Sequence, residues 1–434
     1  MEKTSAGLTA FAMAASILCA GVARAQPQAA VQDLGNGIHA AIGVAVGTGG
    51  GAEARRVAVP QSNTFLVVTP DGNVVIDTSG PAGGAVHQPL LAKVSAAPLK
   101  AIILTHGHGD HTGGVARWFR PGVEIIAQRE FPEFLQYQRG LAGFFGSRNA
   151  AQFGGGAPAA GTLAAPGGGG APPIQPTRTF GDRMTLEIGG VTFELLHTPG
   201  ETPDHLSVWI AQFKAAFVGD NYYDSFPNIY TLRGTRPRWA LDYVRSLDQV
   251  LALEPELVLP SHGQPIRGRD EIRRRLTRYR DAIRYVHDQT VAGMNAGKDV
   301  FTLMGEIKLP PDLDIGETYG KISWSVRGIY EGYVGWFDGN PASMFGTPAA
   351  AYDEIVRLAG GPAKVAARAR ELARTDPVRA LYLADIALAA DSRDVAGLET
   401  RLEILKILDR QSANSNERGW IQAGIRDAEA RLKR

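Results

Sequence analysis

The sequence predicts an α/β sandwich followed by an all-helical module, and three observations carry that prediction. Short β-branched runs alternate with helical segments through residues 64–295. An apolar strand at 100–105 runs directly into a histidine-rich loop, and strand ends are where α/β proteins build their sites. From residue 353 onward the pattern changes to Ala, Leu and Arg at helical spacing.

Taken in order, the chain opens with an apolar run over 8–22, preceded by Lys3 and followed by Ala23-Arg24-Ala25. This reads as a secretory signal peptide over 1–25, cleaved before Gln26. Removing 25 of 434 residues leaves 409, and these hold no cysteine because the single one, Cys19, falls inside the leader. Leu18 stands where a lipoprotein signal would need a small residue, so no lipid anchor is expected. The predicted location is periplasmic or secreted, in a bacterium, with stability drawn from the core and any metal. No later stretch is long and apolar enough for stable membrane insertion.

Residues 64–78 place two β-branched runs around Pro-Asp-Gly and predict a β-hairpin. Strands are expected at 190–197, 206–218 and 256–260, with helices at 235–253 and 269–295. Between 140 and 176 the chain turns to Gly, Ala and Pro, a composition that predicts a surface loop without core, with an active-site lid as the alternative. After 353, apolar residues recur at Val365, Ala369, Leu372, Ala373, then Ala380, Leu381, Ala384, Leu388, then Leu398, Leu402 and Leu405. Asp376-Pro377 and the stretch 391–394 supply breaks, so antiparallel helix pairs are expected. The domain reading is a hydrolase-like unit over 26–295 and a helical unit over 296–434. Lys+Arg 45 against Asp+Glu 44 gives a net charge of +1, which argues against nucleic acid as a partner.

The chemistry concentrates in Thr105-His106-Gly107-His108-Gly109-Asp110-His111, three imidazoles and a carboxylate within six residues. His106 and His108 alternate like strand residues and can grip one metal ion from the same side, while Asp110 and His111 point to a second. Each ion needs a further ligand, and something must bridge them. His197-Thr-Pro-Gly-Glu201, Gly219-Asp220 and Pro260-Ser-His262-Gly each follow an apolar strand and supply candidates.

These four motifs in this order resemble the metallo-β-lactamase superfamily, and the resemblance implies its αββα sandwich. It also implies two zinc ions, with His106, His108 and Glu201 on one, Asp110, His111 and His262 on the other, and Asp220 between them. Glu201 stands where most of the superfamily has histidine, which is similar to the alkylsulfatase branch. Asp220 rather than a thiolate disfavours the Cys-containing β-lactamases. His197 and His205 are left as support behind the ligands.

Further stretches resemble alkylsulfatases: Asn221, the segment Asn228-Ile-Tyr230-Thr-Leu-Arg233-Gly, and the run from Gly316 to Trp336-Phe-Asp-Gly-Asn340-Pro that opens a helical dimerisation domain. The resemblance implies a small-molecule anionic ester substrate, a sulfuric ester hydrolase activity and a homodimer. It implies Asp110, Arg233 and Asn221 as catalytic residues, with Arg233, Asn221 and Tyr230 contacting substrate. Arg233 suits a sulfate because its planar fork matches two oxygens. Two departures stand out. The bridging position is typically Glu in that branch, one methylene longer than Asp220, and no sterol-carrier-like domain is expected in this sequence. Tyr333, Trp336 and Phe337 are expected in the core, and Arg327 in an ion pair. The rival readings are a lactonase, β-lactamase or phosphodiesterase, or a non-enzymatic metal-binding scaffold.

Overall fold

Strands that are apolar on both faces need cover on both sides, and this requirement organises the first part of the chain. The computed structural model describes residues 31–43, 45–47, 58–60, 62–153, 174–345 and 348–434. The segment read as a signal peptide, and residues 154–173 of the Gly- and Pro-rich stretch, lie outside the described residues.

The strands are β1 (Val31–Gly35), β2 (Ile38–Ala41), β3 (Ala45–Gly47), β4 (Ala58–Pro60), β5 (Thr64–Thr69), β6 (Gly72–Ile76), β7 (Leu99–Ile103), β8 (Glu124–Gln128) and β9 (Arg178–Phe180), then β10 (Arg183–Ile188), β11 (Val191–His197), β12 (Leu206–Ile210), β13 (Ala215–Gly219), β14 (Leu257–Pro260) and β15 (Ile266–Arg267). The first sheet has the order β1-β2-β5-β6-β7-β8-β9 and the second runs β10 to β15 in sequence, with β3 and β4 forming a separate pair. Pairing is antiparallel from β1 to β6 and parallel from β6 to β9. In the second sheet only β13 and β14 run parallel.

The helices of this part are α1 (Pro81–Leu91), α2 (Gly109–Thr112), α3 (Val115–Trp118), α4 (Phe131–Gly140), α5 (Ala142–Phe153), α6 (Ala240–Ala252), α7 (Arg269–Asn295), α8 (Val300–Glu306) and α9 (Ile322–Val334). Phe65, Ile76, Ile103, Phe193, Val208, Phe217 and Leu259 meet between the two sheets. Phe65 and Phe217 stack edge to face there, with centroids 5.2 Å apart. The alternate strand residues point outward, so Val75, Ile102 and Ile125 pack beneath Leu91, Trp118 and Phe131. On the far side, Ala216, Val218 and Val258 pack beneath α6 and α7 through Tyr243, Leu247, Leu276 and Tyr279. The result is the four-layer αββα sandwich that the resemblance implied.

The remaining helices are α10 (Tyr352–Leu358), α11 (Pro362–Leu372), α12 (Pro377–Ala390), α13 (Val395–Gln411) and α14 (Ser415–Leu432). The expected breaks act as N-caps: Asp376 accepts from Arg379 N–H and Asp394 from Gly397 N–H. Small residues, Ala369, Ala373, Ala380 and Ala384, let the helices approach closely around Ile404. Helices α8 and α9 belong to a different neighbourhood, because Leu303, Ile322, Val326 and Ile329 join the outer core of the sandwich beside α6 and α7.

Three local expectations are corrected. Residues 142–153, read as core-less loop, form α5 and bury Phe145 and Gln152. The strand expected over 206–218 is two strands, broken by a turn at Ala211–Phe213 with Lys214 in the left-handed region at φ 47°. The helix expected from 235 begins at Ala240. Tyr333, Trp336 and Phe337 are not core residues either. Trp336 is 73% exposed, and Phe345 and Leu358 are 87% and 81% exposed. Arg327 does form an ion pair, to Glu331 at 2.7 Å.

Candidate metal centre

Parallel strands deliver their C-terminal ends to one edge, and the site occupies that edge. Ile76 pairs with Ile103, so Asp77 and the loop from Thr105 leave β6 and β7 side by side. Gly219 pairs with Pro260, so Asp220 and His262 leave β13 and β14 side by side. Leu206 N–H donates to Thr105 O at 2.8 Å, tying one sheet to the other beside the histidine loop. Gly219 has φ +53°, and a Cβ there would lie 2.2 Å from His205 Nε2, so only glycine allows this approach.

Two donor groups converge. Asp110, His111, Asp220 and His262 offer ligand atoms all within 4.8 Å of one another, and so do His106, His108 and Asp220. His111 Nε2 and His262 Nε2 lie 3.3 and 3.5 Å from Asp220 Oδ2, and 3.5 and 3.2 Å from Asp110 Oδ2. His106 Nε2 faces His108 Nδ1 at 2.9 Å and Asp220 Oδ2 at 3.8 Å. Glu201 reaches the second group through Oε1, 3.6 Å from His108 Nδ1. Its Oε2 is taken by Arg238 at 2.5 Å and Tyr243 Oη at 2.7 Å. All seven residues named from sequence therefore gather at one place, with Asp220 common to both groups.

The electrostatics suit cations. Burial, then neighbouring imidazolium and guanidinium charge, holds His106 and His108 well below the ordinary imidazole range, which keeps them neutral with a lone pair available. Burial acts to lower His111 too, but Asp220, Asp110 and Asp77 outweigh it and raise the group well above that range. His262 is raised in the same way, with Asp220 the leading cause against burial. An excess of carboxylate thus draws positive charge into this corner. Buried His111 Nε2 and Asp220 Oδ1 have no hydrogen-bond partner, as atoms awaiting a metal would. The residues fit a pair of metal ions on donor chemistry and on these orphaned atoms.

Behind the ligands stand groups that the sequence reading missed. Asp77 is fully buried and accepts four hydrogen bonds of 2.8 Å, from Thr105 N–H, Thr105 Oγ1, Ser261 Oγ and His111 Nδ1. It thereby fixes the His111 tautomer and orientation. The available signal was its place, directly after an apolar strand like the other carboxylates. Tyr223 Oη donates to Asp220 Oδ2 at 2.6 Å. His205 accepts from Asp220 N–H at 3.1 Å, and His197 meets Pro203 O at 2.7 Å, so both support the ligand loops.

The three residues expected to contact substrate differ. Arg233 faces the site, with Nη2 3.2 Å from His108 Nε2 and no carboxylate within 4.0 Å among the described residues. Asn221 is buried, and its amide braces the ligand loop instead: Oδ1 accepts from Glu201 N–H at 3.1 Å and Nδ2 donates to Thr198 O at 2.7 Å. Tyr230 is 36% exposed and lies against Gly328 of α9.

Fold and donor set define a metal-dependent hydrolase of the metallo-β-lactamase fold. Residues 57–262 match the family model described as metallo-beta-lactamase superfamily, and 302–430 match the one described as alkyl sulfatase dimerisation. A linear primary-alkylsulfatase from a Pseudomonas species is 32% identical over 397 residues, covering 85% of this chain and 74% of that one. An alkyl/aryl-sulfatase from Saccharomyces cerevisiae is 29% identical, covering 63% of this chain and 46% of that one. The solved structure of a stereoselective inverting sec-alkylsulfatase from Pseudomonas sp. superposes with a TM-score of 0.80 at 22% identity, over 92% of this chain and 65% of that one. The chain belongs to the metallo-β-lactamase superfamily, in its alkylsulfatase-like branch.

Proposed function

We propose that this chain is an exported dinuclear zinc hydrolase that cleaves alkyl sulfate esters to the alcohol and sulfate. Arg233 carries the substrate reading. Its guanidinium is half-buried, lacks a carboxylate among the described residues, and faces a site built to hold cations. A cation held against other cations is stable only when an anion joins them, and a sulfate group supplies that anion. The names of the relatives point the same way.

In this reading His106, His108 and Glu201 hold one zinc, Asp110, His111 and His262 the other, and Asp220 both. The ions supply Lewis-acid activation of water and neutralise charge in the transition state. Arg233 orients the sulfate by two parallel hydrogen bonds. Asp77 and Tyr223 hold His111 and Asp220 at fixed angles, and Arg238 with Tyr243 keeps one oxygen of Glu201 turned toward His108. The unit over 26–295 supplies the ligands, α8 and α9 pack on its outer core although the sequence reading put them past the boundary at 295, and the helices that follow supply the rest of the dimerisation region.

The zinc-loaded protein is expected to hold about two zinc ions by elemental analysis, as the two donor groups require. It should turn over a primary alkyl sulfate, lose that activity to a chelator and regain it with zinc. Faster turnover of lactones, β-lactams or phosphodiesters than of sulfate esters would overturn the substrate reading, and absence of bound metal after loading would end the dinuclear one. No helix among the described residues is long and apolar enough to cross a membrane. Export rests on the leader, and N-terminal sequencing of the mature protein should begin at Gln26. Assembly as a homodimer rests on the exposed apolar surface of Trp336, Phe345 and Leu358. Leu358→Glu should shift the protein toward monomer in light scattering.

A further inference from the structure

We propose that Arg148 is a positioning residue for Arg233, and that Trp420 of the C-terminal helix holds Arg148 in place. The helical module would then help to build the anion site of its own chain. The inference rests on the reading of Arg233 as the sulfate-binding cation.

The segment carrying Arg233 is a tight turn, closed by Gly234 N–H donating to Thr231 O at 2.9 Å. Gly234 takes φ +99°, as the turn requires. The carbonyls of residues 232 and 233 point away from the turn toward α5, and one guanidinium takes both. Arg148 Nε donates to Arg233 O at 2.8 Å and Nη2 to Leu232 O at 2.5 Å. Two bonds from a rigid planar fork fix the orientation of the peptide planes flanking Arg233, not only their distance. Gln152, four residues on and on the same helix face, donates to Thr231 Oγ1 at 3.3 Å. Helix α5 therefore grips the turn at both ends.

Arg148 is itself confined. Its guanidinium carbon lies 5.1 Å from the Phe144 ring centroid and 4.8 Å from that of Trp420. Trp420 Nε1 donates to Gln152 Oε1 at 3.3 Å, so the indole contacts both gripping side chains. The approach of α14 to α5 depends on Gly419, where a Cβ would fall 1.8 Å from Gln152 O. The same helix end also reaches the neighbouring segment, since Asn416 Nδ2 donates to Asn228 Oδ1 at 3.3 Å. Among the described residues, the polar partners of the Arg148 fork are the Leu232 and Arg233 carbonyls.

The test is a mutant cycle in the full, zinc-loaded protein with a primary alkyl sulfate as probe. Arg148→Ala is expected to lower kcat/KM about 10- to 100-fold, chiefly through KM, with zinc content and melting temperature close to those of the parent. Trp420→Leu should give a smaller loss, and Trp420→Phe, which keeps a ring against the guanidinium, should restore most of it. On an Arg233→Ala background, neither Arg148→Ala nor Trp420→Leu should reduce kcat/KM further, because the group they position is gone. A merely structural tie would instead lower both backgrounds equally, and that result overturns the proposal, as would Arg148→Ala within twofold of the parent. If Arg148→Ala does not fold, the Trp420 pair on both backgrounds decides. Intact sulfate-ester turnover in Arg233→Ala alone would overturn the clamp reading of Arg233, an outcome distinct from failure of the cycle.

Discussion

The ligand loops and the arginine loop over 228–238 lie side by side, yet they are held in opposite ways. Each ligand loop leaves a strand of the sandwich and is braced close to its ligands or by the adjacent strand end, with Glu201 held in addition by Arg238 and Tyr243 from further along the chain. Thr105 and Ser261 reach Asp77, and His205 reaches Asp220. The arginine loop contains no regular element, and distant helices hold it: α4 through the Arg236–Glu133 pair at 3.1 Å, α5 through Arg148, and α14 through Asn416. Placement of most donor residues is thus a property of the sheets, whereas placement of Arg233, the proposed sulfate-binding group, depends on helices packed from far along the chain. A metal site tolerates little error in geometry and gains from rigid strands. A substrate contact can sit on a loop, and here the two regions meet at one point, where Arg238 of the arginine loop holds Glu201.

Substitutions at four positions sharpen this contrast, in falling order of effect. Asp220→Ala removes the one ligand common to both donor groups. It should take activity to background and zinc content toward zero by elemental analysis, while Arg233→Ala leaves zinc content unchanged. If Arg233→Ala also empties the site, the two regions are not separable. Arg233→Ala should cost about 1.5–3 kcal/mol in kcat/KM for a sulfate ester, as loss of hydrogen bonds to a charged group does. Arg233→Lys should recover part of this, and hydrolysis of a neutral ester should scarcely change.

Asp77→Ala probes the bracing of the ligand loops. Loss of the group that orients His111 should weaken zinc affinity about 10- to 100-fold, measured by competition with a chelator. Unchanged affinity would mean that the strands hold His111 without it. The smallest effect concerns His87, whose ring bonds Thr64 and none of the donor residues. Burial pushes the His87 imidazole down to about 4, with a bond to the Ile42 backbone acting the other way. The unfolded chain therefore takes up this proton first as pH falls. The contribution is complete above about pH 6.5 and is lost toward pH 4, at most about 3 kcal/mol. His87→Gln should flatten the pH dependence of the urea midpoint across that window without altering zinc content, which separates global stability from site chemistry.

Much of the centre was legible in the sequence because its determinants are local. Apolar runs end at His106, Asp220 and His262, and strand geometry delivers whatever follows them to one edge. The long helix expected at 269–295 spans Arg269–Asn295, since acidic residues at 270 and 271 and the apolar period mark it within its own segment. Helix α5 was not legible. Gly143 and Gly146 each cost about 1 kcal/mol of helix propensity, and the helix forms because Phe145 and Gln152 are buried against other parts of the chain. Composition alone could not reveal that cover. Nor could it reveal that Trp336 faces solvent, since an aromatic run reads alike whether the surface it packs on lies in its own chain or outside it.

What the sequence by itself determined is the set of candidate donor side chains that gather at one edge and the strands that carry them, because both are written within short segments. What only the tertiary structure decided is which polar groups meet across long separations. Asp77 contacts His111 over 34 residues, Arg148 contacts Arg233 over 85, and Trp420 contacts Gln152 over 268. Such contacts leave no periodicity, since they depend on how close the packed elements come, and glycines such as Gly219 and Gly419 set that distance.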